Sequence, residues 1–269
     1  MQGFSSGTIF LTGVSPSPIF PRMPVEFSDR YLNALQTAQS VVVSTGAGVS
    51  AESGVPTFRG EDGLWKKFRP EELATFDAFR ASPELVWEWY QHRREIINGI
   101  KPNPGHYAIV EMAGLFDHFQ LITQNIDDLH RLAGSDDIVE LHGNIKRNRC
   151  IDCGEINYDE EFEKFPPVCR CGGRLRPDVV WFGEMLPEGA IDKAFAVSRK
   201  CDLFFTVGSS GVVQPAASLP LTARQHGAFV VEINIEPTEL TFIVDQHLRG
   251  KSGDILPAVV AKIKELRKL

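Results

Sequence analysis

The chain has 269 residues, with 28 Lys and Arg against 35 Asp and Glu, a formal net charge of −7 and 43% apolar residues. The acidic balance argues against a nucleic-acid binder, which carries a basic face, and no run of about 18 apolar residues is present to span a membrane. The length suits one large domain carrying a smaller one, with a sizeable core.

Residues 1–27 read as an N-terminal arm. The segment MQGFSSGTIFLTGVSPSPIFPR has an apolar patch but no basic n-region, and Pro16 and Pro18 interrupt it, so a signal peptide is not expected. Met23 is an alternative first residue, and the expected compartment is the cytoplasm. A helical period follows over Ser28–Ala38, then a β-branched run, Val41–Thr45. Further helical periods cover Pro83–Ile97, Gly105–Phe116 and Ala190–Arg199. Further short apolar runs are Phe119–Thr123, Ile138–Leu141, Leu203–Val207 and Phe229–Ile235. Strands of this length and content are those buried on both faces of a parallel sheet, and their alternation with helices predicts an α/β fold. A last helix is expected over Ile255–Lys268 with Asp254 as N-cap. Two stretches break the alternation. Arg59–Gly105 is longer than one crossover helix needs, and Lys146–Pro177 is rich in Cys, Gly and Pro; both read as insertions into one sheet domain.

Gly46-Ala47-Gly48, ending a strand and followed by Ala51, fits the G-x-G-x-x-A form of the dinucleotide fingerprint. Glycine there allows a tight turn and a close approach of main-chain N–H groups to a pyrophosphate. The acidic residue expected about 20 positions on is absent, and the chain reads WKKFRP instead. That disfavours an ordinary hydride-transfer dehydrogenase half and leaves a nucleotide in a different pose.

Cys150 and Cys153 form one short-spaced pair, Cys169 and Cys171 a second. Four thiolates at such spacings converge on a tetrahedral Zn2+ and leave no open position, so the predicted zinc is structural. A pair of disulfides or free thiols is the competing reading, disfavoured in an intracellular chain. Cys201 reads as a buried apolar residue.

Polar clusters fall just beyond predicted strand ends: Gln124, Asn125 and Asp127; His142 and Gly143; Gly208, Ser209 and Ser210; Asn234 and Glu236. In an open parallel sheet ligands bind at those ends. His142 is the histidine so placed and the natural general base.

With these motifs in order, the chain resembles the sirtuin family of NAD-dependent protein deacylases, from about Ser40 to Leu256. The carriers are GAGVS (Gly46–Ser50), GVPTFRG (Gly54–Gly60), TQNID (Thr123–Asp127), His142-Gly143, the two cysteine pairs, VVWFGE (Val179–Glu184), GSS (Gly208–Ser210) and NIE (Asn234–Glu236). The resemblance implies a Rossmann-like NAD-binding domain formed by 28–58, 105–145 and 178–269. A smaller module would combine a helical insert, 59–104, with a zinc-binding insert, 146–177. It implies NAD as cosubstrate, held by Gly46, Ala47, Gly48, Ser50, Ala51, Pro56, Thr57, Phe58, Arg59, Trp65, Gln124, Asn125, Ile126, Asp127, Gly208, Ser209, Ser210, Asn234, Ile235, Glu236 and Ser252. Catalysis would rest on His142 and Asn125. Val180, Trp181 and Phe182 would pair with the substrate backbone as an added strand. The implied partners are acylated lysine side chains of proteins or peptides, with neither nucleic acid nor membrane.

The segment PELVWEWYQHRREII places Arg93 within an apolar helical stripe, one turn from Tyr90. Taken alone, Arg93 reads as a residue that snorkels to solvent or pairs with a carboxylate. The sirtuin subgroup that removes succinyl, malonyl and glutaryl groups carries a tyrosine and an arginine at this spacing. Ala74 matches the small residue that leaves its acyl pocket roomy. The resemblance thus implies an acidic-acyl preference with some deacetylase activity, the alternative being a deacetylase without that preference.

Overall fold

The computed structural model describes residues 26–57, 70–159 and 161–269. Phe58, Arg59, Trp65 and nearly all of the N-terminal arm lie outside them. The described elements are α1 (Asp29–Thr37), β1 (Ser40–Thr45), α2 (Gly48–Ala51), α3 (Pro70–Leu73), α4 (Phe76–Ala81), α5 (Pro83–Asn98), α6 (Pro104–Ala113), β2 (His118–Thr123), α7 (Leu129–Ala133), β3 (Ile138–Glu140), β4 (Gly143–Cys150), β5 (Ile156–Asn157), β6 (Leu175–Val179), α8 (Ala190–Ser198), β7 (Leu203–Val207), α9 (Leu219–Gln225), β8 (Phe229–Asn234), β9 (Gln246–Arg249) and α10 (Ser252–Arg267).

Six strands form a Rossmann-like sheet in the order β3-β2-β1-β7-β8-β9, every neighbouring pair parallel. Successive residues of β1 feed opposite cores, which is why the strand is apolar throughout rather than alternating. Val41 and Val43 pack with Tyr31 and Leu35 of α1, Ile109 and Met112 of α6, and Val259 and Ile263 of α10. Val42 packs on the other side with Phe204, Ala194 of α8 and Leu219 of α9. The strand order reverses between β1 and β7, and such a switch point opens a crevice at the carboxyl ends.

β5-β4-β6 form a separate antiparallel sheet. It shares a third core with α4 and α5, built from Phe79, Trp87, Trp89, Tyr90, Ile145, Leu175 and Trp181. Buried Arg94 fastens α5 to β4: its Nε donates to the Ile145 oxygen (2.7 Å) and Nη2 to Asn148 Oδ1 (2.6 Å). Asp178 on β6 pairs with Arg147 (3.0 Å) and Arg149 (2.9 Å) on β4, and Arg147 reaches Glu140 on β3 (2.8 Å). One ion-pair chain therefore joins the two sheets. Among the described residues no helix is long and apolar enough to cross a membrane.

Several expectations change. The last helix begins at Ser252, and Asp254 is not its N-cap, a position held by Lys251. A carboxylate from far along the chain does the capping work instead: Glu52 Oε1 accepts from Gly253 N–H (2.9 Å) and Ser252 Oγ (3.0 Å). The helix expected over Gly105–Phe116 ends at Ala113, where Gly114 caps it. The strand expected to reach Leu141 stops at Glu140, because the main chain turns there toward β4. The strand expected to start at Phe119 opens one residue earlier, at His118. The second sheet begins at Gly143 and ends at Val179, so β4 and β6 both extend beyond the cysteine-rich stretch Lys146–Pro177.

Candidate active site at the strand ends

Because all six strands of the large sheet run the same way, the polar residues after β1, β2, β3, β7 and β8 gather at one edge. The turn after β1 is locked to the turn after β7: Gly46 N–H donates to the Val207 oxygen (2.9 Å) and Gly48 N–H to the Gly208 oxygen (2.8 Å). A Cβ on Gly48 would sit 2.6 Å from Gly208 Cα, and Gly208 itself holds φ +59°. Only glycine lets the two main chains approach so closely.

Asn125 is buried, and its position is set by three bonds. Its N–H donates to Thr123 Oγ1 (3.0 Å), while Nδ2 donates to the Gly46 oxygen (3.1 Å) and Ser50 Oγ (3.1 Å). Both amide hydrogens are consumed, which leaves Oδ1 as the group's remaining acceptor. Thr123 Oγ1 meets Thr45 Oγ1 (2.8 Å), which lies 2.9 Å from His130 Nε2; His130 packs against His106 with ring centroids 4.8 Å apart. His106 Nδ1 accepts from Asn103 N–H at 3.3 Å. Sequence patterning gave no sign of this polar layer beneath the turn, since its members come from four separate segments.

Gln124 Nε2 donates to Ser209 Oγ (3.3 Å), and Asn234 Nδ2 to the Ser209 oxygen (2.8 Å), so three strand ends are stitched together. Ile126 is buried beside them, while Ser210, like Ala51 and Pro56, is exposed and Ala47 and Thr57 are half-buried. Asp127 accepts from Leu129 N–H (3.0 Å). Burial pushes its carboxyl up, and hydrogen bonds from Leu129 and Ser50 together with the Arg93 charge draw it back. Arg249 Nη2 lies 2.9 Å from both carboxylate oxygens of Glu236, its Nε donates to the Ile235 oxygen (3.0 Å), and the Ile235 side chain is exposed. Ser252 is buried at the rim with its hydroxyl bonded to Glu52.

His142 follows β3 with Nδ1 2.9 Å from the Gln124 oxygen. A carbonyl only accepts, so Nδ1 carries the hydrogen and Nε2 is the bare nitrogen. Burial draws the imidazole below its ordinary value, against the opposing hydrogen bond. Gly143 holds φ +76°, and a Cβ there would lie 2.1 Å from the Asp178 oxygen, so glycine is required where β4 crosses β6.

Beyond β6 the main chain is tied to two separate segments, with Phe182 bridging to Thr75. Val180 N–H donates to the His142 oxygen (2.9 Å) and Phe182 N–H to the Ala74 oxygen (2.9 Å). Tyr90 and Arg93 of α5 are both buried, so Arg93 does not snorkel to solvent. The guanidinium carbon lies 5.0 Å from the Trp89 ring centre. Burial draws Arg93 down from its ordinary value, and Tyr90 and Asp127 oppose that shift.

The four cysteine sulfurs lie within 4.8 Å of one another. Cys150 and Cys171 Sγ are 3.5 Å apart, Cys153 and Cys169 Sγ 3.8 Å. A zinc tetrahedron with bonds of about 2.3 Å has sulfur–sulfur edges of about 3.8 Å, so the donor set fits a closed, structural Zn2+.

The Sir2 family pattern matches residues 46–215. An NAD-dependent protein deacylase of Pyrobaculum aerophilum is 52% identical over 232 residues, covering 86% of this chain and 93% of its own. A solved complex of a Sir2 homologue with NAD has a TM-score of 0.83 at 45% identity, covering 90% of this chain and 95% of that one. A Sir2–p53 peptide–NAD+ complex has a TM-score of 0.76 at 31% identity, with 87% and 97% coverage. The fold shared with solved Sir2 homologues and the identity to curated relatives thus define an NAD-dependent protein deacylase. The chain belongs to the Sir2 family.

Proposed function

We propose that this protein removes acyl groups from protein lysines at the expense of NAD, favouring succinyl, malonyl and glutaryl groups and retaining some deacetylase activity. The glycine turn and Ser50, with Gln124, Asn125, Ile126 and Asp127, hold the pyrophosphate and nicotinamide side of NAD. Gly208, Ser209, Ser210, Asn234, Ile235 and Glu236 hold the adenosine side. Ala47, Ala51, Pro56, Thr57, Phe58, Arg59 and Trp65 belong to the same cofactor-facing stretch, and Ser252 contributes through its tie to Glu52. Val180, Trp181 and Phe182 present an extended edge to the peptide, with Ala74 beside the acyl chain. The cytoplasm is the setting we assign, where thiolates stay reduced for zinc.

The chemistry follows from what each group can do. The acyl oxygen attacks the anomeric carbon of the nicotinamide ribose, and the carbon–nitrogen bond to nicotinamide breaks. The bare Nε2 of His142 takes a proton from a ribose hydroxyl, whose oxygen adds to the imidate carbon. Water then releases the lysine amine and an O-acyl-ADP-ribose. The Asn125 amide, with both hydrogens tied to the protein, offers an acceptor in a fixed direction.

The observation carrying the acyl preference is the buried Tyr90–Arg93 pair, a phenol and a guanidinium one helical turn apart. A guanidinium binds a carboxylate through two parallel N–H donors. A deacetylase without acidic preference is the second reading, favoured by the internal partners Arg93 already has in Trp89 and Asp127. The test is Arg93→Met, scored as the ratio of kcat/KM for succinyl-lysine over acetyl-lysine peptide. Losing one partner of a shielded ion pair costs about 2–5 kcal/mol, a drop of roughly 30- to 5,000-fold in that ratio. An unchanged ratio assigns Arg93 to packing alone.

A further inference from the structure

We infer that Trp181 is a specificity-determining positioning residue: its indole N–H fixes the direction of the Tyr90 hydroxyl and thereby sharpens discrimination between carboxylate-bearing and neutral acyl groups. The inference rests on the acyl reading above. Its observation is separate: Trp181 Nε1 stands 2.9 Å from Tyr90 Oη, between residues 91 positions apart in sequence. An indole nitrogen donates and cannot accept, so the phenol oxygen receives this bond. One of the two Tyr90 lone pairs is filled, and its own hydrogen has no acceptor among the described residues. Both side chains are buried, Trp181 at 2% and Tyr90 at 3% exposure. A dry hydroxyl donor without a partner is unfavourable, and a ligand oxygen relieves that penalty. Burial also pushes Tyr90 up to about 12, so the phenol keeps its hydrogen at neutral pH.

The indole cannot turn away. The Arg176 guanidinium lies on its ring face, 3.3 Å from the ring centre, and Phe79 packs at 5.3 Å. Arg176 is itself held by the Glu184 carboxylate (2.9 Å at Nη2) and the Val179 oxygen (2.6 Å). Glu184 also accepts from the Trp181 main-chain N–H (2.9 Å). The line Glu184–Arg176–Trp181–Tyr90 thus ends in a hydroxyl whose hydrogen points away from the indole. Arg93, one turn along α5, supplies the positive charge. Without the indole N–H, the Tyr90 hydroxyl becomes a free rotor. A carboxylate then loses an oriented donor, and an acetyl group, which has no distal oxygen, loses nothing comparable.

The experiment compares Trp181→Phe, Tyr90→Phe and the double variant by the succinyl-to-acetyl ratio of kcat/KM. Trp181→Phe is expected to lower the ratio about tenfold, the scale of one hydrogen bond to a charged group, chiefly through the succinyl KM. In the Tyr90→Phe background the same change should not lower it further. Equal losses in both backgrounds, or none in either, overturn the inference. The indole resonance of Trp181 in the free protein gives a second readout: slow solvent exchange and an upfield shift on Tyr90→Phe, whereas no shift overturns it. This readout keeps the test intact should Trp181→Phe fail to fold. A ratio insensitive to Arg93→Met removes the acyl reading and the selectivity role together. Sensitivity to Arg93→Met with additive Trp181 and Tyr90 losses removes the Trp181 role alone.

Discussion

His142 and Gln124 are joined through imidazole Nδ1 and a main-chain oxygen 2.9 Å away, which holds the ring in the tautomer with Nε2 bare. Burial lowers the ring below its usual 6.5, so it is neutral through the physiological range and competent as a base. The acid limb of kcat/KM should therefore fall below pH 6.5, since activity is lost only where Nε2 takes up a proton. A limb at or above pH 7 contradicts this environment.

His142→Ala removes the proposed base and leaves the glycine turn and the Asn125 bonds in place. General bases contribute about 10²- to 10⁴-fold, and deacylation should fall by that amount. Nicotinamide exchange precedes the proton transfer and should be less affected. Equal losses in exchange and deacylation would place His142 in an earlier step.

His106 and His130 predict an acid-sensitive fold. Burial lowers His106 to about 4 and His130 to about 3, the second helped by its neighbour. In the unfolded chain both titrate near 6.5. Below that pH the unfolded chain binds protons that the folded chain refuses, so stability falls by as much as about 1.4 kcal/mol per pH unit for each ring. The loss should continue toward pH 4 and be absent above about pH 7. Urea midpoints from pH 7.5 to 4.5 measure it, and His106→Asn should flatten the profile.

Replacing Cys150 or Cys169 with Ser opens the four-thiolate site. The expected outcome is loss of bound zinc with a lower unfolding temperature, because metal binding and folding of the small sheet are one equilibrium. Unaltered zinc content and unaltered melting would remove the metal from the account.

Arg94→Met leaves the Ile145 oxygen and the Asn148 amide oxygen dry between α5 and β4. Each buried acceptor without a donor costs about 1–3 kcal/mol, so stability should fall by about 2–6 kcal/mol. A change below about 1 kcal/mol would mean that α5 is not fastened through this side chain.

What the sequence disclosed, and what it hid, follows from where the partners come from. β1 and β7 were legible because both faces are buried, which demands uninterrupted apolar residues. The clustering at one edge followed from a parallel sheet, and the cysteine pairs carried their own geometry. β4 and β6 were not legible. GNIKRNRC and LRPDV hold Arg147, Arg149 and Asp178, charges tolerated because they pair across the sheet. The start of α10 was misplaced because its capping carboxylate belongs to Glu52, about 200 positions away. Tyr90 and Arg93 could be paired by helical spacing, whereas Trp181 reaches Tyr90 only through the fold.

The proposed activity consumes NAD, and does not reduce it, as an acyl group leaves lysine. Incubating the protein with NAD and a succinyl-lysine peptide, and counting products by mass spectrometry, tests it directly. The expected outcome is peptide-dependent release of nicotinamide, O-succinyl-ADP-ribose and free lysine peptide in equal amounts, with no absorbance from NADH. NADH formation, or nicotinamide release that ignores the peptide, would contradict it.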